Sequence, residues 1–116
     1  MSKETKTKQG LKYDAGKSRW DLLPFDSLEE VAKVLTAGAA KYSSRNWEKG
    51  INYSRLFAST LRHLSAFWQG EAINKEDFGL HHLAHAACCA LMLLHFELND
   101  YSEFDDRECP LRKESR

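Results

Sequence analysis

Apolar residues return every three or four positions in three stretches of the chain, and that spacing predicts three helices. From Ser27 to Tyr42 they fall at Leu28, Val31, Ala32, Leu35, Ala39 and Tyr42, with Ser27 and Glu30 spaced as a capping box at the start. A second helix is expected from Ser54 to Gln69. Leu56, Phe57, Thr60, Leu61, Leu64, Phe67 and Trp68 form its broad face, and Gly70 is its stop. The third, Leu80 to Asn99, is apolar around so much of its circumference that a neighbouring helix must cover it. Ala84, Ala86, Ala87 and Ala90 permit that neighbour to approach closely.

Between these helices the period breaks. Ser43 to Tyr53 carries Asn46, Gly50 and Asn52 and reads as a loop anchored by Trp47. Leu11 to Phe25 mixes charge with Tyr13, Trp20, Leu22 and Leu23 around Gly16 and Pro24, the pattern of an ordered arm laid against helices rather than a strand. No long run alternates with period two and no repeat recurs, so the fold class is all-α. The expected organisation is a flexible tail over residues 1–10, one helical domain over 11–99 and a polar tail over 100–116. Three helices with such large apolar faces exceed what one chain can cover. A homo-oligomer, dimer or tetramer, whose bundle a second copy completes is therefore expected.

Composition narrows the partners. At 116 residues the chain is one small domain, and its 17 basic residues balance 17 acidic ones, so no global field draws it to nucleic acid or membrane. No apolar run approaches the roughly 18 to 20 residues that span a bilayer, and the basic N-terminus lacks the apolar run of a secretory signal. The three cysteines, Cys88, Cys89 and Cys109, include no CxxC and suit a reducing compartment, so a cytoplasmic protein is expected.

The chemistry concentrates between Gly70 and Leu94. Glu71, Asn74 and Asp77 occupy a polar connection ending at Gly79, and His82 and His85 come next, three apart on one helical face. Carboxylates and imidazoles gathered at a helix junction suit a divalent metal or a phosphate chain; the alternative is that they cap and solvate the junction. Glu29 and Glu30 sit where acids favour a helix start, yet such acids also project into bundle clefts. Arg62, if it points inward beside His63, needs an anion. Gly16, Lys17 and Ser18 lack the upstream glycine of a P-loop, and no HExxH or adjacent His–Asp pair is present.

Five motifs in order, KYDAGKSRWDLLP, LEEVAKVLTAGAAKY, RNWEKG, LRHLSAFWQGE and GLHHLAHAACCALMLL, resemble the phage and bacterial dATP/dGTP diphosphohydrolases, the MazZ-type branch of the MazG-like all-α nucleotide pyrophosphohydrolases. The resemblance runs from about Leu11 to Leu98. It implies an oligomeric helical bundle that uses magnesium or manganese to cleave a purine deoxynucleoside triphosphate into monophosphate and pyrophosphate. Position by position it matches Asn46 and Trp47, Arg62 and His63, Gly70 and Glu71, and His82 and His85. Asn74 stands where the family has an aspartate, and Asp77 matches the next acid, with Glu76 competing for that place. Glu29 and Glu30 match the paired glutamates of the wider family, but Lys33 and Val34 occupy the next turn where another glutamate is usual.

The roles implied by the resemblance place a magnesium or manganese ion on Glu29, Glu30, Glu71, Asn74 and Asp77. Glu71, Asp77 and His82 would serve catalysis. Lys41, Lys49, Arg62 and His85 would hold phosphate, Asn46 and His63 would line the substrate site and Trp47 would stack on the base. The rival reading is a non-catalytic helical module that binds nucleotide or a protein partner.

Overall fold

The computed structural model describes residues 9–108. Three helices carry the fold: α1 Phe25–Lys41, α2 Tyr53–Trp68 and α3 His82–Leu98. The most extensive contact is α2 against α3, with α1 laid on α3. A two-stranded antiparallel ladder joins α2 to α3, β1 Ile73–Asn74 pairing with β2 Leu80–His81 in the register Ile73 to His81 and Asn74 to Leu80. Short 3-10 turns lie at Trp20–Leu22, Asn46–Lys49 and Ser102–Phe104. Among the described residues no helix is long and apolar enough to cross a membrane.

The all-α expectation holds, with local corrections. The first helix opens at Phe25, not Ser27: Pro24 is its N-cap at φ −79°, close to the helical value its ring imposes, and its carbonyl accepts from Leu28 N–H at 3.0 Å. The capping box therefore does not form. Ser27 N–H donates to Asp26 Oδ1 at 2.6 Å, and Glu30 accepts instead from Lys33 Nζ at 2.8 Å. The third helix begins at His82 because Leu80 and His81 are held in the ladder, and His81 caps it by accepting Leu83 N–H on Nδ1 at 3.0 Å. The arm expected to lie against the helices does not pack there within one chain, since Tyr13 and Trp20 remain 83% and 72% exposed.

Two helix ends direct the chain, one into the ladder and one back over the core. Gly70, at φ +105°, closes α2 as a Schellman motif, with Gly70 N–H bonded to Phe67 O and Glu71 N–H to Ala66 O, each at 3.0 Å. The same device closes α3 with Asp100 at φ +57° and Tyr101 N–H bonded to Phe96 O at 3.1 Å. The Tyr101 ring then stacks on Phe96 at 4.5 Å, the apolar contact that accompanies such an ending.

Phe96, fully buried, sits with Tyr53 and Leu56 at the centre of the core, and Trp47, Leu93 and Phe104 pack around them. Burying a phenylalanine is worth about 2 kcal/mol, so this cluster is a principal tie between α2 and α3. The segment expected to be a polar tail from Asp100 contributes to it: Tyr101 Oη donates to Glu48 O at 2.8 Å, and Asp106 Oδ1 accepts Ser54 N–H at 2.9 Å. That carboxylate places negative charge on the open N–H groups at the start of α2. Residues 109–116, with Cys109, and residues 1–8 lie outside the described residues.

Candidate active site

The Schellman ending of α2 turns Glu71 back toward its own helix, and the ladder lays the start of α3 beside it, His82 N–H donating to Ala72 O at 2.8 Å. These two backbone devices bring together side chains from three places in the sequence. His82 Nε2 lies 2.8 Å from Glu71 Oε1, and His82 Nδ1 lies 2.9 Å from His63 Nδ1 on α2. One turn along α3, the His85 ring stacks on His63 with centroids 4.6 Å apart and planes 9° from parallel. His82 and His85 are both buried, and His85 Nε2 has no hydrogen-bond partner among the described residues.

Burial is the largest influence on His63 and pushes its pKa down from 6.5 to about 4, with His85, His82 and Arg62 pushing the same way and Asp77 opposing. Burial lowers His85 as well, against the pull of the Asp77 carboxylate and backbone. Two stacked imidazoles cannot both hold charge cheaply, so the pair is neutral near pH 7.

His63, His85 and Asp77 line a cleft of about 880 Å³ bounded by the second half of α1, the segment around Asn46–Lys49, α2 and α3. Lys41, Arg45, Lys49 and Arg55 bring exposed cations to its lining. Arg45 is steadied by Glu48 at 2.6 Å. Lys41 Nζ sits 5.2 Å from the Tyr42 ring centre, and Tyr42 followed by Asp77 raises its pKa. Asn46 and Trp47 also line the cleft, the Trp47 ring set edge-on to His95 at 5.0 Å. Burial pushes the Cys88 thiol up to about 11, and Cys89 Sγ lies 3.6 Å from Ser59 Oγ.

Of the residues expected at a site, the structure thus brings Glu71, His82, His63 and His85 into one cluster and sets Lys41, Asn46, Trp47, Lys49 and Asp77 around the adjoining cleft. Arg62 is exposed on α2 and does not line that cleft; its influence on the site runs through the charge it places near His63. The acids expected to share a metal are not gathered. Glu29 lines a separate shallow groove with Phe78 and Leu80, Glu30 is paired with Lys33, and Glu71 is paired with His82. Asn74 Oδ1 accepts Glu76 N–H at 3.2 Å, which commits its side chain to the connection. No group of three or more histidine, cysteine or acidic side chains among the described residues is arranged to hold a metal ion, so the described part of a single chain presents no ready-made metal centre.

Sequence reasoning missed Arg45 and Arg55. A signal for Arg55 was present, because Arg55, Ser59 and His63 are spaced by four and share the α2 face that meets the cleft.

Fold and site together define an all-α protein with a histidine-backed, cation-lined cleft. Residues 7–107 match the family model described as dATP/dGTP diphosphohydrolase, N-terminal, and the chain belongs to this family. It is similar to the dATP/dGTP diphosphohydrolase of Salmonella phage PMBT28, with 38% identity over 98 residues. That match covers 84% of this chain and 33% of the phage protein, so the chain spans about a third of its relative's length. No solved structure matches.

Proposed function

We propose that the cleft binds a purine deoxynucleoside triphosphate and hydrolyses it to monophosphate and pyrophosphate. The observation that carries this reading is the gathering of Lys41, Arg45, Lys49 and Arg55 around one cleft that His63 and His85 also line. The cations suit a polyphosphate, whose hydrolysis needs its charge neutralised and its phosphorus held in line with water. Asn46 and Trp47 share the lining, and in this reading they meet the base and sugar. The relative's name, a dATP/dGTP diphosphohydrolase, supports the choice of substrate.

In this reading magnesium or manganese enters with the triphosphate. A second copy covers apolar side chains such as Phe57, Leu61 and Leu64 on α2, which are 59%, 49% and 42% exposed.

Incubating the protein with a panel of nucleoside triphosphates, with and without magnesium or manganese, tests the reading by phosphorus NMR. Monophosphate and pyrophosphate from dATP or dGTP are expected. Saturable binding without turnover would replace the enzyme with a helical nucleotide-binding module.

A further inference from the structure

We propose that Glu71 and His82 are positioning residues that fix the tautomer of His63, leaving its Nε2 lone pair open as the base that takes a proton from the attacking water. This inference rests on the hydrolytic reading of the cleft and assigns a base within it.

The hydrogen bonds dictate the order. A carboxylate only accepts, so His82 Nε2 carries the proton that it donates to Glu71 Oε1 at 2.8 Å. With that one proton on its ring, His82 has a bare Nδ1, and the 2.9 Å contact then assigns the proton between the two rings to His63 Nδ1. His63 Nε2 is bare by elimination and takes no hydrogen bond within the described residues. The ring it belongs to lines the cleft, and the parallel His85 ring covers one face and limits its rotation. Glu71, with its side chain 53% exposed, holds His82 from the solvent side.

The step balances without a co-reactant. The water oxygen bonds to the α-phosphorus, the bond from that phosphorus to the bridging oxygen of the leaving pyrophosphate breaks, and the water proton goes to His63 Nε2. The imidazolium so formed releases its Nε2 proton to the water that refills the cleft as pyrophosphate departs, which restores the starting tautomer with Glu71 and His82 unchanged. The groups facing His63 are His82 and His85 from α3, Asp77 from the connection and Arg62 from its own helix. Burial keeps the resting ring neutral, and the arriving polyphosphate charge favours the protonated form as the reaction proceeds.

Long-range proton–nitrogen NMR of the labelled full chain at neutral pH, without nucleotide, reads the tautomer independently of turnover. His63 is expected to show a protonated Nδ1 and a bare Nε2. Glu71→Lys replaces an acceptor by a donor at an exposed position, so His82 and then His63 should both reverse their tautomers. With dATP or dGTP, kcat should fall at least about 100-fold and KM by less than about threefold. His63→Asn should lose kcat similarly, and unchanged thermal melting of both variants would separate the loss from unfolding. A wild-type His63 protonated on Nε2, or a Glu71→Lys protein with full kcat, overturns the positioning chain while leaving the hydrolase reading in place. A wild-type protein with the expected tautomer but no turnover removes the hydrolase reading, and the base with it.

Discussion

His63 and His82 meet through their Nδ1 atoms at 2.9 Å, a separation that holds one proton and excludes two. The contact joins the middle of α2 to the first residue of α3, so the protonation of either ring bears on the packing of both helices.

Acid should therefore loosen the fold through His63. Its pKa is lowered from 6.5 to about 4 in the folded chain, so between those values the unfolded chain binds more protons. The contribution is complete above about pH 6.5 and is lost as pH falls toward about 4. After allowance for solvent screening it amounts to about 1 kcal/mol. Denaturant melts of wild type and His63→Asn across this range should show wild type losing about that much more; parallel curves would contradict it.

Gly50→Ala should destabilise the chain by about 2 kcal/mol, lowering the melting temperature by roughly 10 °C. Gly50 adopts φ +110°, which L side chains rarely tolerate, and the Phe104 ring occupies the space its Cβ would need. Calorimetry decides the matter, and a melting point within a degree or two of wild type would show that Phe104 can move aside.

Sedimentation at micromolar concentration is expected to give a dimer or larger species. Leu61→Glu and Leu64→Glu place charge on an α2 surface already exposed in the single chain, so each should shift the protein toward monomer without lowering its helical content. A wild type that sediments only as monomer would refute the expected second copy.

The helices were legible because burial on one side of a helix leaves a repeating trace, and Val31, Leu56 and Phe96 all fall inside the expected spans. The ladder was not, since two strands of two residues each leave no alternation to detect. The capping box misled because Ser27 and Glu30 have the right spacing, while Pro24 starts the helix earlier. At the site, the spacing of His82 and His85 announced a shared face, and both rings do meet His63. Their pairing with Glu71 depends on the turn at Gly70 and the ladder together, a geometry that neither segment reveals alone. The bond from Tyr101 to Glu48 and that from Ser54 to Asp106 join positions far apart in sequence, where no local pattern exists.

The hydroxyl of Tyr101 that grips the carbonyl of Glu48 also imposes an order on assembly. As the chain emerges from the ribosome, Arg45 and Lys49 appear long before the residue that fastens their segment, so the pocket wall stays loose until α3 has finished and the backbone has doubled back. A chain cut short of that tyrosine would keep the residues of its histidine cluster while losing the bond that seats the cationic wall.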